Sequence, residues 1–171
     1  MNSLSNRSQL SDQISKEAAG RAIGRIATGV YVITLKRDGQ FDGMLTSWIC
    51  QASFEPPMLT VAVKKERPIF ASLQVGSDFV VNVLSKNNMQ IFKNFARPYS
   101  EDFDRFAGLK LDQNSKSAPI FSDCIAYMIC TVQQIVESGD HHLLIAEILQ
   151  GSAINPEDEP MVHLRKSGFQ Y

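Results

Sequence analysis

The sequence predicts a mainly β protein of the α+β kind, an antiparallel barrel, closed or nearly closed, of six or seven strands with two or three short helices. Three observations carry this expectation. Runs of strand length rich in β-branched and aromatic residues recur from Val30 to Arg165. Turn signals punctuate them: RDGQ at 37–40, EPP at 55–57, GDHH at 139–142 and NPEDEP at 155–160. Helical periodicity is confined to short stretches.

The elements follow in order. Residues 1–13 are polar and read as a flexible lead-in, and a single domain is expected over 14–171. A helix is predicted over 14–27, with Ile14, Ala18, Ala22, Ile23 and Ile26 at helical spacing and Asp12 as cap. VYVITLK (30–36) is the first strand, and the Asp-Gly of RDGQ turns the chain back. A second extended run is expected from about Phe41 to Phe54, stopped by Glu55-Pro56-Pro57 because proline cannot donate to a ladder. MLTVAVK (58–64) is a strand, and Pro68 opens a short helix over IFASLQV that Gly76 ends. DFVVNVL (78–84) is a further strand and NNMQIFKNF (87–95) a short helix. Residues 96–119 read as a long loop, of a length that is more often functional or interface-forming than idle. IAYMICTVQQIVE, LLIAEILQGSAI and MVHLR supply the remaining strands.

Composition narrows the function classes. With 171 residues, 44% hydrophobic and 20% charged, the chain can bury a core without disulfide or metal. A net charge of −1 offers no bulk attraction to nucleic acid or an anionic membrane. Three cysteines in no CxxC pair read as reduced thiols in a cytoplasm. The N-terminus has no apolar h-region, and no apolar run approaches the ~18 residues of a membrane span. GxSxG, HExxH, GxGxxG and GxxxxGK[ST] are all lacking, and three histidines at this spacing make no metal site. A strand-rich chain of this kind is either a binding module or takes its chemistry from an organic cofactor.

Four segments could hold such a group. In GMLTSWICQASFEPP (43–57), small and polar residues interrupt a strand otherwise built for burial. It reads either as a half-exposed strand or as one whose backbone and hydroxyls approach a planar ligand, with Gly43 allowing close approach and Ser47 donating. Trp48, judged alone, reads as core. In AVKKERP (62–68), Lys64, Lys65 and Arg67 precede a helix start and form either a solvated basic turn or a phosphate clamp. ARPYSEDFDRFAG (96–108) places Phe103, Arg105 and Phe106 on a polar loop, where they anchor the loop, meet a partner or cover a ligand. His141 is either an exposed turn histidine or one at a strand mouth, able to offer a proton near neutral pH.

Together these motifs resemble the flavin-reductase-like family, the FMN-binding split barrel. The order Gly43-x-x-x-Ser47, Ser53-x-x-Pro56-Pro57, Phe79-Val-Val-Asn82-Val-Leu84, Asp104-Arg105-Phe106 and Gly139-Asp140-His141 carries the resemblance over about Gly24 to Tyr171. Within it, GMLTSWICQASFEPP, DRFAGLK, AYMICTV, ESGDHHLL and HLRKSGFQY look like the C-terminal flavin-reductase module of flavodiiron proteins from oxygenic phototrophs. The chain reads either as a separate protein, which Met1 favours, or as an excised domain, and the oxygen-reducing chemistry of those multidomain proteins is not carried over.

The resemblance implies an antiparallel split β-barrel, homodimeric, binding FMN or FAD and taking electrons from NADH or NADPH for a second acceptor, such as a redox protein. It places Thr46, Ser47, Trp48 and Ile49 along the isoalloxazine and ribityl chain with Ser53 nearby, and Ala62, Val63, Lys64 and Arg67 at the ribityl and phosphate end. Phe79, Val81 and Asn82 are implied on the flavin's other side, Arg105 and Phe106 around the pocket, and His141 beside the nicotinamide as the catalytic residue. Two departures from the family pattern stand out: Leu45-Thr46-Ser47-Trp48 loses a hydroxyl and adds bulk, and Lys65-Glu66-Arg67-Pro68 replaces a hydroxyl-rich phosphate turn with charge. An FMN-binding electron carrier without a nicotinamide site, or a split-barrel protein for another ligand, are the rival expectations.

Overall fold

The computed structural model describes residues 16–100, 102–112 and 118–169, which form two compact units. The larger one, 29–161, is built on a seven-stranded antiparallel sheet. In chain order the strands are β1 (Thr28–Gly29), β2 (Tyr31–Arg37), β3 (Gln40–Thr46), β4 (Ile49–Phe54), β5 (Pro57–Lys64), β6 (Asp78–Val83), β7 (Ala126–Ser138), β8 (His141–Ala153) and β9 (Val162–His163). A five-residue 3₁₀ turn covers Pro68–Ser72, and the helices are α1 (Lys16–Ile23) and α2 (Met89–Ala96). The main sheet runs β3-β2-β6-β7-β8-β5-β4.

The turns do what their residues dictate. Asp38 and Gly39 both take positive φ (49° and 81°), the geometry of a two-residue hairpin between β2 and β3. Gly139 at φ 59° and Asp140 close the β7–β8 hairpin, whose strands are thirteen residues each. Alternation then sorts the faces. Along β5, Leu59, Val61 and Val63 point into the barrel interior with Ile33, Leu35, Leu73, Phe79, Val81 and Leu144, while Thr60, Ala62 and Lys64 face outward. Val32 and Thr34 of β2 are equally buried, because a second layer of Leu84, Ile91, Phe95 and Phe121 covers the opposite face. Each wholly buried Leu, Ile, Val or Phe contributes about 1.5–3 kcal/mol, which makes the doubly covered β2–β6 region the most firmly held part.

Three expectations are corrected. The Phe41–Phe54 run is two strands, broken at Ser47-Trp48, and they lie at opposite ends of the sheet order. The predicted helix over IFASLQV is a short 3₁₀ turn, since buried Ile69 and Leu73 each anchor one end of a segment too short for an α-helix. The smaller unit, 16–28 and 162–169 of the described residues, carries the first helix only as far as Ile23, and residues 14–15 lie outside the described residues. Its apolar stripe is not the buried face: Ala18, Ala22, Ile23 and Ile26 are exposed, and Gly20 is the residue pressed against the C-terminal segment. A β-carbon at Gly20 would stand 2.8 Å from Ser167 Oγ, and the Gly168 N–H donates to the Gly20 carbonyl at 2.6 Å. Residues 1–13 likewise fall outside the described residues. Among the described residues no helix is long and apolar enough to cross a membrane.

Candidate functional site

The site begins where the barrel is split. β3 pairs only with β2 and β4 only with β5, yet two residues, Ser47 and Trp48, connect them. Three peptide steps from Thr46 to Ile49 span at most ~11 Å, so the two edges of the sheet are drawn together there without pairing. Thr46 and Ser47, both half-buried, carry the hydroxyls at this connection. The Trp48 N–H reaches Thr46 Oγ1 at 3.4 Å, and the Trp48 carbonyl accepts from the Ala62 N–H at 3.0 Å. The seam is thereby stitched to β5.

His141 lies on the same outer face, opposite Lys64 in the β5–β8 ladder. Its ring packs on Trp48 at 4.8 Å and 33°, and its Nδ1 lies 2.7 Å from Asp140 Oδ1. That hydrogen bond is the main reason the Asp140 carboxyl is held below its usual value. His141 is 7% exposed, so it is no free turn histidine, and Trp48 is half-buried against it rather than in the interior. Ile49, next along β4, packs on the edge of the interior core.

The basic residues divide. Lys64 pairs with Glu66 at 2.9 Å and Lys65 with Glu137 at 3.5 Å, exposed pairs of small energetic weight. Arg67 is exposed, and its guanidinium has no hydrogen-bond or ion-pair partner among the described residues. Arg105 donates to the Gly43 carbonyl and to the Arg97 carbonyl, both at 3.4 Å, and lies over the Tyr99 ring. Burial lowers the Arg105 pKa from its ordinary value, Asp42 works against that, and the positive charge of Arg67 lowers it further. Two guanidinium groups therefore feel one another, a donor set suited to an anion such as a phosphate.

Other expected residues lie elsewhere. Val63, Phe79 and Val81 are in the closed interior, at most 1% exposed, so they can shape the seam only from behind. Asn82 is also buried, and its amide bonds the Val32 carbonyl, Thr34 Oγ1 and the Phe121 N–H. Ser53 sits at a bulge far along β4, opposite Met58. Phe106 joins a cluster with Phe41, Phe95 and Phe121 at 5.3–6.1 Å. Gly43 does not open space for a ligand: a β-carbon there would lie 2.8 Å from Phe95 Cε1. A cleft of about 960 Å³, lined by Phe41, Asp42, Tyr99, Phe103 and Arg105 among others, shares only Arg105 and Phe106 with the expected set. Among the described residues no cluster of three His, Cys, Asp or Glu could hold a metal.

Sequence reasoning missed Asp140 as the partner of His141 and the stacking of His142 on Phe70, centroids 4.0 Å apart. The signal for the two histidines was present: adjacent residues at a strand start must point to opposite faces.

The comparisons agree with this architecture. Residues 23–170 match the flavin reductase like domain family. Diflavin flavoprotein A 1 of Synechocystis is 41% identical over 152 residues, covering 88% of this chain but 26% of that protein, so the chain spans about a quarter of the length of the curated relatives it matches. Among solved structures, the NADH:FAD oxidoreductase SgcE6 of Streptomyces globisporus superposes with a TM-score of 0.75 at 23% identity, covering 96% of this chain and 92% of that one. The flavin reductase PheA2 superposes at 0.71 with 25% identity, covering 84% and 90%. With a family match over nearly the whole chain, a seven-stranded antiparallel sheet split at Thr46–Ile49 and a like sheet in these reductases, the chain belongs to the flavin-reductase-like domain family and has its split-barrel fold.

Proposed function

We propose that this chain is a flavin-dependent oxidoreductase that binds FMN along the seam between β3 and β4 and takes electrons from NADH or NADPH for a second acceptor. The observation that carries the reading is the Trp48–His141 ring pair at the seam, with the exposed Arg67 close enough for its charge to act on Arg105. Membership of a family that includes a flavin reductase supports it.

The donor set fits a phosphorylated flavin. Thr46 and Ser47 supply hydroxyls suited to ring carbonyls or a ribityl chain, Ala62 and Lys64 flank them on β5, and Arg67 with Arg105 offers charge for a phosphate. Lys64 is the weaker phosphate ligand, because Glu66 already draws its ammonium away. Bound flavin would supply the two-electron chemistry, accepting hydride from a reduced nicotinamide. The chain's own part is to bind, orient and limit water. Trp48 and His141 pack ring against ring at the seam, His141 buried and Trp48 half-buried, and the Asp140 hydrogen bond at Nδ1 fixes the imidazole's orientation.

A homodimer is part of the reading. β4 is an unpaired edge whose Cys50, Gln51, Ala52 and Phe54 are exposed, Phe54 at 87%, and a second copy covering it would also enclose the seam. A redox protein is proposed as the second acceptor.

The test is an absorbance spectrum of the purified protein with FMN, before and after anaerobic NADH or NADPH. Bleaching of the flavin bands is expected with one or both donors, and His141→Ala should slow bleaching more than it weakens FMN binding. Bound flavin that neither donor bleaches would make the chain an electron carrier, and no uptake of FMN would end the flavin reading.

A further inference from the structure

We propose that His142 is a positioning residue: by stacking on Phe70 it holds the 3₁₀ turn that starts directly after Arg67, and so sets where the Arg67 guanidinium stands. This rests on the reading of Arg67 as a phosphate ligand. The turn has little to orient it internally. Its backbone hydrogen bonds are single i to i+3 links, Arg67 N–H to the Lys64 carbonyl at 3.0 Å, Phe70 N–H to the Arg67 carbonyl at 2.9 Å and Leu73 N–H to the Phe70 carbonyl at 3.0 Å, and the exposed Gln74 amide adds a bond to the Phe70 carbonyl at 3.0 Å. Such a short 3₁₀ segment takes its orientation from its neighbours.

Ile69 and Leu73 pin the turn to the interior, but neither fixes its rotation about the line joining them. Phe70 does. Its ring lies face to face with the His142 imidazole, centroids 4.0 Å apart and planes 6° from parallel. His142 in turn sits in a strand paired on both sides, opposite Val63 of β5 and Glu137 of β7. The stack therefore ties the arm that carries Arg67 to a strand paired on both sides, near its hairpin end.

Packing alone does not explain a histidine there. Its Nδ1 is buried with no hydrogen-bond partner among the described residues, a cost that an aliphatic side chain would avoid. What an aliphatic side chain lacks is a flat face to register against Phe70. Alternation completes the division of labour: His141 faces Trp48 across the seam, and His142 faces Phe70 within.

The experiment compares His142→Leu and His142→Phe with Arg67→Ala, measuring FMN and riboflavin affinities by flavin fluorescence and amide hydrogen exchange at Phe70 and Leu73 without flavin. His142→Leu should weaken FMN about tenfold, a charge-assisted bond's worth, while leaving riboflavin within about twofold. It should also speed exchange at both amides, and His142→Phe, which keeps a flat ring, should restore affinity and protection. Added to Arg67→Ala, it should cost FMN nothing further. Equal loss of both flavins, unchanged exchange, or a full additional loss on the Arg67→Ala background would overturn the proposal. Wild-type protein that prefers riboflavin or binds neither flavin would remove the phosphate reading itself, a result separate from the exchange at Phe70.

Discussion

Asn82 shows how a single polar side chain can be read for its type and misjudged for its use. The resemblance sets it beside the flavin, but its Nδ2 donates to the Val32 carbonyl at 3.2 Å and Thr34 Oγ1 at 3.1 Å, and its Oδ1 accepts the Phe121 N–H at 3.0 Å. Thr34 then donates to the Pro119 carbonyl, so the amide stitches β2 and β6 to the segment that covers them. An amide with both ends satisfied in a dry setting is a structural device. Asn82→Leu would leave the Phe121 N–H buried without an acceptor and should destabilise by about 2–3 kcal/mol, read as a lower urea midpoint. His141 is the opposite case. Its residue type and its place after Gly-Asp pointed to a strand mouth, and there it lies, with Asp140 and Trp48 as neighbours that no local pattern reveals.

At the scale of elements, strands and turns were legible because their causes are local. Alternation along MLTVAVK, the Asp38-Gly39 turn and the apolar spacing of Ile91 and Phe95 each arise within a few residues. The break at Ser47-Trp48 was not, because both halves of 41–54 are equally strand-like and only their partners differ. Gly43 was misread for the same reason. It is the point where β3 meets α2, and a methyl group there would lie 2.8 Å from Phe95 Cε1 and 3.0 Å from the Ile33 carbonyl. Gly43→Ala must push the helix or the strand aside and should cost about 1–3 kcal/mol, seen as a lower melting temperature. Because Arg105 also hangs on the Gly43 carbonyl, the change should weaken FMN through Arg105, whereas a variant on α1 should not.

For the whole molecule, burial controls the chemistry of the thiols. Cys124 and Cys130 are fully buried, and desolvation pushes both thiols up to about 12, while Cys50 is exposed on β4. A thiol reagent at neutral pH should leave Cys124 and Cys130 unlabelled in the native protein and label all three cysteines in denaturant. The same shifts contribute to the loss of stability at alkaline pH. Each thiol binds its proton more tightly folded than unfolded, so its stabilising effect is complete below the unfolded value of about 8.5 and is lost as pH rises toward 12. The urea midpoint should fall over that range, and Cys130→Ala should fall less steeply than wild type. The sequence by itself determined the strand-rich class, the turns and the family, because periodicity, turn geometry and motif order are properties of neighbours along the chain. Only the tertiary structure decided that β3 and β4 close opposite edges of one sheet, and that Phe79, Val81 and Asn82 are spent on the interior. Those outcomes depend on which strands compete for each edge and each face, and that competition is settled among residues far apart in sequence.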